Sequence, residues 1–379
     1  MQHKTLWGRS AIVSAILVAI LLILWMQLNE HAVEPTLLVN EESTLELLQE
    51  YWEDSAAADL GLIEPPRKIK TGIYIQSLEF FNSSYVNLTG YIWQRYRNGV
   101  DDDLKPAHGE VGFILPDRVN SGFKLQETYR KSVPGEEVIG WYFEARLRQP
   151  FAYATYPFDH KIVSVRMRHK QFSRYIVLVP DFEAYVSTGL HDVFGIDQEV
   201  TLSTWRRENT FFDYKITDND TNFGTTNFIG RHSFPELHYN FVILRKFESA
   251  LIVNLLPLFL VATLLFVALL TITKKGELAD RLGFNVLGFI GVASALFFVV
   301  MLAHIQLRKQ FAGSGIVYIE YFYILMYLLL VLATANACIC SLKPKRRFGM
   351  IMYGGNILVK VGYWPFVLAC LIAITFGVL

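Results

Sequence analysis

The stretch best suited to a special role is Tyr156-Pro157-Phe158-Asp159. It interrupts two runs of alternating apolar and polar residues, and its proline favours a turn. Such a turn inserts two aromatic rings into an interface, and we expect it to leave the Asp159 carboxylate exposed at its tip. What the tip of this turn contacts depends on the elements that surround it.

Motifs for enzyme chemistry are missing from the sequence. It has no phosphate-binding glycine loop, no nucleophile motif and no histidines and cysteines at metal-ligand spacing. The cysteines Cys338, Cys340 and Cys370 lie in apolar segments, where we interpret them as packing residues. We therefore expect no enzyme activity, no metal site and no cofactor.

The composition indicates a protein that lies partly in a membrane. Its 379 residues are 52% hydrophobic and only 18% charged, which is too apolar for an ordinary soluble protein. The formal net charge is zero, so no basic field favours nucleic acid. The length allows two domains.

Five apolar segments are about long enough to span a bilayer. Residues 11–28 form either a retained anchor, which we favour, or a signal segment. The other four segments are residues 250–273, 282–307, 316–342 and 361–379. Placing the neighbouring Lys and Arg clusters in the cytoplasm puts residues 30–247 outside. Arg308 and Lys309 are the exception, on an outer loop.

Between the first two apolar segments the pattern changes twice. Residues 30–69 form an acidic linker, in which Ser43 and Glu46 fit a capping box at the start of a short helix. From about residue 70 the period is two, as in strands, which we predict at residues 71–81, 86–96, 140–148, 162–169 and 236–245. Short strands without intervening helices favour an antiparallel β-sandwich.

Together these motifs resemble a pentameric ligand-gated ion channel subunit of the bacterial kind, related to the Cys-loop receptors. The Tyr156–Asp159 turn is similar to the family's signature turn, without its two flanking cysteines. Pro257 lies where the first membrane helix of the family carries its proline. The remaining similar stretches are residues 71–78, 90–96, 113–120, 221–224 and 237–245.

The resemblance implies an α+β membrane protein. We expect an extracellular antiparallel β-sandwich followed by a four-helix transmembrane bundle, with an additional N-terminal membrane helix. The domains would be an anchor at 1–29, a linker at 30–69, the sandwich at 70–247 and the bundle at 248–379.

The resemblance also implies a coupling interface, because the family rests its signature turn against the outer ends of the membrane helices. Arg245 lies where the last strand becomes the first helix, so we expect it to pair with Asp159 at a partly desolvated junction. The alternative is a purely structural role. Glu320 is the candidate third charge, or else an interfacial acid that faces water.

The second bundle helix would line the pore. A stripe at about 3.6-residue spacing passes through Gly283, Leu287, Ile290, Ser294 and Met301. Rings of Leu287 and Ile290 would form an apolar constriction that gates by dewetting. Glu277 and Asp280 would favour cations as carboxylate rings, or would instead cap the helix N-terminus.

The ligand site of the family lies between neighbouring sandwiches and is aromatic. The candidate residues are Trp93, Tyr96, Phe182, Tyr185, Phe223 and Phe228. Such a cage would hold an amine by cation–π attraction, although each residue could also belong to the core. His304 is a candidate proton sensor, since histidine changes its charge near neutral pH, or an interfacial residue without that role.

The resulting expectation is a ligand- or proton-gated channel subunit, a homopentamer in a bacterial inner membrane with its sandwich on the periplasmic side. Its partners would be a small ligand, a permeant cation and membrane lipid. The pore helix is rich in glycine and phenylalanine and poor in hydroxyl groups. The alternative is therefore a non-conducting membrane sensor on the same fold, which signals to a partner protein.

Overall fold

The structure, a computed structural model, describes most of the chain. The described residues are 2–29, 41–54, 66–81, 83–119, 124–171, 174, 176–189, 192–202, 204–217, 220–221, 223–224, 234–272, 285–311, 314–341 and 356–378. The chain divides into two compact units. The sheet unit comprises Val33–Phe151 and His160–Leu244, and the helix unit comprises Met1–Ala32, Ala152–Asp159 and Arg245–Leu379.

Nine strands form two sheets within the described residues. They are β1 Arg67–Phe80, β2 Tyr85–Arg97, β3 Phe113–Ile114, β4 Leu125–Val133, β5 Glu136–Arg148, β6 His160–His169, β7 Ile176–Pro180, β8 Trp205–Thr217 and β9 Phe234–Arg245. One sheet has the order β4-β5-β2-β1-β7 and the other β3-β6-β9-β8. All five strands expected from the sequence are present. The pairing of β1 with β7 is parallel, unlike the antiparallel pairing expected throughout.

Both sheets bury one face in a common core. Along β2, buried residues alternate with half-exposed ones, as expected for a strand that covers a core on one side. Ile73 and Trp141 from one sheet and Tyr239 and Met167 from the other belong to a single hydrophobic cluster. The sheet unit therefore has the two-layer architecture that the alternating pattern predicts.

The acidic linker contains the expected helix, α2 at Glu41–Asp54. Leu48 lies in the core cluster of the sheet unit and is only 5% exposed. The helix begins two residues before Ser43, so the predicted capping box at Ser43 is wrong.

The remaining helices belong to the helix unit. They are α1 Gln2–Asn29, α4 Val286–Gln310, α5 Glu320–Ser341, α6 Ile357–Val378 and the composite helix α3. Helix α3 begins with an α-helical turn at Phe247–Ala250, continues as a π-helical segment at Leu251–Leu255 and ends as an α-helix at Leu256–Thr271. Five helices in the described part of the chain are long and apolar enough to cross a membrane. This combination of sheets and apolar helices indicates an α+β membrane protein.

Hydrogen bonds join the helices of this unit. Helix α1 packs along α6, and Ser10 Oγ donates to the carbonyl of Val361 at 2.6 Å. Tyr363 of α6 donates to the carbonyl of Ala262 in α3 at 2.9 Å. Polar contacts of this kind hold helices together where no water is present to compete for them. The N-terminal helix is thus packed as a member of the unit.

Candidate coupling site

Strand register brings Asp159 opposite Arg245. Strands β6 and β9 are antiparallel, with His160 opposite Leu244, so the next pair along the ladder is Asp159 and Arg245. Arg245 Nε donates to Asp159 Oδ1 at 2.6 Å and Arg245 Nη2 donates to Oδ2 at 3.0 Å. This two-pronged geometry is the strongest form of an Arg–carboxylate contact.

The ion pair is buried. The Asp159 side chain is 1% exposed and that of Arg245 is 9% exposed. The expectation that the turn leaves this carboxylate exposed is therefore wrong, because Arg245 neutralises the charge inside the helix unit. A buried pair contributes little net stability, but removal of one partner leaves an uncompensated charge.

The Tyr156 ring packs against the Arg245 guanidinium. The Arg245 Cζ atom lies 4.8 Å from the centroid of the Tyr156 ring, within cation–π range. The same ring packs at 4.5 Å from that of Phe311, and its hydroxyl accepts a hydrogen bond from Asn254 Nδ2 at 2.9 Å. Burial raises the pKa of Tyr156 above its ordinary value, so the phenol stays neutral beside the cation.

Asn254 is positioned by an irregular segment near the start of helix α3. It lies in the π-helical segment of α3, immediately before the α-helix that contains Pro257. Proline is tolerated in the first turn of a helix because its missing N–H would have no partner there. The break between the π and α segments thus falls beside the turn, where it presents Asn254 to Tyr156.

Phe158 occupies an aromatic cluster on the other side of the turn. Its ring stacks on that of Phe247 with centroids 5.0 Å apart, and lies 6.1 Å from those of Trp25 and Tyr318. The preceding Tyr156–Pro157 peptide bond is cis. The turn inserts its two rings among helix residues, as the sequence suggested.

A chain of hydrogen bonds connects this cluster to two further helices. Trp25 Nε1 of α1 donates to the Tyr318 hydroxyl at 2.9 Å, and that hydroxyl lies 2.7 Å from Thr375 Oγ1 of α6. Thr375 itself donates to the carbonyl of Leu371, so Tyr318 is the donor to Thr375. The Tyr318 backbone N–H also donates to the carbonyl of Ala154 at 2.8 Å.

Sequence reasoning missed Trp25, Tyr318, Asn254 and Phe311 as members of this site. The available signal was weak: Trp25 is an aromatic residue near the end of an apolar segment, a common location at membrane interfaces. Its contact with Tyr318 joins positions 293 residues apart, and no local pattern in a single sequence reports such a separation.

Glu320 belongs to a second cluster rather than to the first. Its side chain is 4% exposed and accepts from Arg308 Nη1 at 3.2 Å and from the backbone of Val317 at 3.0 Å. Arg308 is 45% exposed and also donates to the carbonyls of Ser314 and Gly315. Within the described part of the chain, Glu320 makes no ion pair with Arg245.

His304 borders the second cluster. Its Nε2 atom lies 3.8 Å from Glu320 Oε1, its Nδ1 atom lies 3.2 Å from the Tyr327 hydroxyl, and its ring stacks on that of Tyr323. The basic pair Arg308-Lys309, an exception in the predicted topology, is thus partly explained: Arg308 holds the segment between α4 and α5.

The expected pore stripe lies only partly on the free face of α4, which is the side of the helix opposite its buried residues. The buried face of this helix contains Phe289, Ala293, Leu296, Val300 and Leu307. Leu287 is 76% exposed, and Ile290 and Ser294 border a groove of about 590 Å³ beside α5, while Met301 is half-buried. Helical geometry places Gly291, Phe298 and Ile305 opposite the buried face. Gly283, Glu277 and Asp280 lie outside the described residues.

The aromatic ligand candidates do not form one cage. Trp93 and Tyr185 have ring centroids 5.8 Å apart, and both Tyr185 and Phe182 pack on Phe212. Tyr96 is instead a fully buried core residue, whose hydroxyl donates to Gln94 at 2.7 Å. Phe223 is 47% exposed, and Phe228 lies outside the described residues. Three of the six candidates are therefore neighbours.

Comparison with known proteins adds no family to this geometry. No protein-family model matches the chain, and a search of curated proteins found no match. Among the described residues, no group of three or more His, Cys, Asp or Glu side chains could hold a metal ion.

Proposed function

We propose that the chain is a subunit of a homopentameric ligand- or proton-gated ion channel with the fold of the bacterial ligand-gated family. The observation that carries this proposal is the Asp159–Arg245 pair, buried in the helix unit at the ends of two strands of the sheet unit. A buried charge pair of this geometry is retained for specificity more readily than for stability.

The covalent connections support a coupling role. Asp159 immediately precedes β6, and Arg245 ends β9 with one residue, Lys246, between it and the first turn of α3. A displacement of either strand therefore acts on the ion pair directly. In this proposal the pair would switch between a formed and a broken arrangement.

The same proposal assigns the finer architecture. Helices α3 to α6 would form a four-helix transmembrane bundle with α4 at the pore, and α1 would be a retained additional helix held by Trp25. The sheet unit would be the extracellular, periplasmic sandwich of a bacterial inner-membrane protein. A ring of Leu287 side chains, which are highly exposed in the single chain, would supply the apolar gate.

Selectivity and ligand follow from the same assignment. Five copies of Glu277 and Asp280 at the cytoplasmic mouth would favour cations. Trp93, Phe182 and Tyr185 would contribute to an aromatic site for an amine, and His304 would be the candidate proton sensor.

A specific observation favours a second candidate, the non-conducting sensor. The free face of α4 combines Gly291 with the exposed apolar side chains of Phe298 and Ile305. Glycines on a membrane helix also serve close helix packing, and an all-apolar lining resists wetting. In this alternative the helices would pass a ligand signal to a partner protein.

Recordings from the purified chain in planar bilayers distinguish the two candidates. The channel proposal predicts unitary currents that depend on pH between 4 and 8 or on a panel of primary and quaternary amines. Native mass spectrometry of the same sample should give a pentamer. An intact pentamer without current under all of these conditions would overturn the channel and favour the sensor.

A further inference from the structure

One face of the sheet unit carries an unusual group of four cations. Lys68 and Lys70 lie on β1, and Arg95 and Arg97 lie on the neighbouring strand β2, with Lys70 directly opposite Arg95. Because side chains alternate along a strand, all four are on the same face. Like charges directly opposite each other destabilise a sheet, so this arrangement needs a compensating partner.

Acidic side chains compensate the two arginines. Arg95 Nε lies 2.7 Å from Asp181, which is 0% exposed, and Arg97 Nε lies 3.0 Å from Asp101, which is 1% exposed. Two buried carboxylates therefore fix the two guanidinium groups in place. Such pairs are part of the framework of the sheet.

The two lysines differ in their partners, and Lys70 has a further interaction besides its contact with Glu183. Lys70 lies 3.2 Å from Glu183, which is 66% exposed and so contributes a weak surface pair. The Lys68 side chain makes no hydrogen bond or ion pair within the ranges that the structure describes, although its backbone pairs with Val177 of β7. Its ammonium group is the unmatched charge of the face.

These cations line a cavity. It has a volume of about 290 Å³ and is bordered by all four basic residues, by Glu136 and by Thr44 of α2. This is close to the small end of the range for ligand pockets. Three of its basic side chains are paired with acids, and Glu136 lies 3.8 Å from Arg95. The Lys68 ammonium group therefore supplies the charge that suits an anion of few atoms.

We propose that this cavity binds a small oxyanion, a carboxylate or a phosphate, through the ammonium groups of Lys68 and Lys70. Lysine binds such groups as a mobile point charge with three donors. The arginines, already held by Asp101 and Asp181, supply a fixed positive field. The Glu136 carboxylate repels the anion and therefore lowers the affinity of the cavity for it. The cavity adjoins the aromatic candidate Trp93, because Asp181 accepts from both Trp93 Nε1 and Arg95 Nε. Anion binding there does not depend on whether the protein conducts ions.

Calorimetric titration of the detergent-solubilised full chain tests the proposal. Sodium phosphate and sodium succinate are titrated separately at constant ionic strength, with sodium chloride as the reference salt. We expect saturable binding of one anion per chain for at least one of the two. Absence of saturable binding for both anions would overturn the site.

Variants assign the binding to the lysines. Lys68→Gln should weaken binding about tenfold, as expected for loss of a charged hydrogen-bond donor, while Lys68→Arg should retain it. Glu136→Gln should strengthen binding severalfold, which no general loss of folding would do. The matched control is Lys124→Gln, an exposed lysine of the same unit outside the cavity. Equal losses in Lys124→Gln and Lys68→Gln would show a non-specific charge effect and overturn the proposal.

Discussion

Two ion pairs in the helix unit have similar chemistry and different surroundings. In the first, Arg245 contacts Asp159 through two hydrogen bonds, and both side chains are buried. In the second, Arg308 contacts Glu320 at 3.2 Å, and the arginine is almost half exposed. Water can therefore replace Arg308 as a partner far more easily than it can replace Arg245.

In the proposed channel, this difference would separate a coupling contact from a structural one. The first pair connects two segments that are 86 residues apart, at the ends of two strands. The second connects residues 12 apart on either side of one short segment, which Arg308 also holds through two backbone carbonyls. Of these two pairs, the first lies next to the ends of β6 and β9, and the second does not.

The largest expected effect comes from removing Arg245. Arg245→Met leaves the buried Asp159 carboxylate without a counter-charge and should lower the free energy of unfolding by about 3–5 kcal/mol. Denaturant unfolding of the detergent-solubilised chain measures this change. The double variant Asp159→Asn/Arg245→Met, which leaves no buried charge, should recover much of the loss. A loss below about 1 kcal/mol for Arg245→Met alone would mean that this pair contributes no more than a surface pair such as Arg308–Glu320.

Acid pH should destabilise the protein through the sheet unit, independently of both pairs. Burial lowers the pKa of His238 to about 3, with help from Lys215 and Arg166, and lowers that of His169 to about 4. The unfolded chain takes up these protons near pH 6.5 and the folded chain does not, so stability is present above pH 6.5 and falls as the pH decreases. The expected loss is about 2 kcal/mol per histidine by pH 5.

Variants of His238 check this assignment. His238→Asn should reduce the slope of the unfolding free energy against pH between pH 6.5 and 5. The expected reduction corresponds to the uptake of about one proton fewer on unfolding. If the slope is unchanged, His238 does not remain neutral in the folded protein.

A smaller effect is expected at Trp25, which contacts Phe158 and Tyr318 near the first pair. Trp25→Phe keeps an aromatic ring beside Phe158 but removes the N–H that donates to Tyr318. The expected cost is about 1 kcal/mol in the free energy of unfolding. Trp7→Phe, in the same helix, provides the control. Equal effects of the two substitutions would argue against a special role for Trp25.

Arg308→Met should have the smallest effect. The exposed arginine can be replaced by water at Glu320, which keeps its hydrogen bond from the Val317 backbone. We expect a loss of about 0.5–1 kcal/mol, measured by the same unfolding experiment. A loss as large as that of Arg245→Met would remove the distinction between the two pairs.

The sequence predicted strands where alternation is clean and missed them where it is not. Strand β4 was missed because it is an edge strand of polar residues, exposed to varying degrees on both faces. In β8 polar and apolar residues do not alternate in the way expected for a half-buried strand. Four consecutive residues are buried there, the polar Asn209 and Thr210 and the apolar Phe211 and Phe212. Thr210 is accommodated there because its hydroxyl donates to the carbonyl of Phe194.

The candidate site was predictable in its charges but not in its environment. Antiparallel register makes Asp159 and Arg245 neighbours once β6 and β9 are paired, so the ion pair follows from the strands. The aromatic rings of the turn are packed against Trp25, Phe311 and Tyr318, which are remote from it in the sequence. Glu320 was expected to be a third charge of this pair or an acid that faces water, and it is instead buried and paired with Arg308, twelve residues earlier.

The coupling role of Asp159 is tested most directly by the pH response of channel activity. Asp159→Asn preserves the shape of the side chain and an acceptor for Arg245 while removing the charge. The matched control is Asp103→Asn, which removes a carboxylate of half-exposed surface pairs in the sheet unit. Both variants and the unmodified protein are recorded in planar bilayers between pH 4 and 8, after native mass spectrometry has established the oligomer.

We predict that Asp159→Asn assembles as the unmodified protein does but loses at least about nine-tenths of its pH-dependent change in open probability, consistent with a lost coupling free energy of 1–3 kcal/mol. Asp103→Asn should respond as the unmodified protein does. An Asp159→Asn variant with the response of the unmodified protein would contradict the coupling role of the buried ion pair.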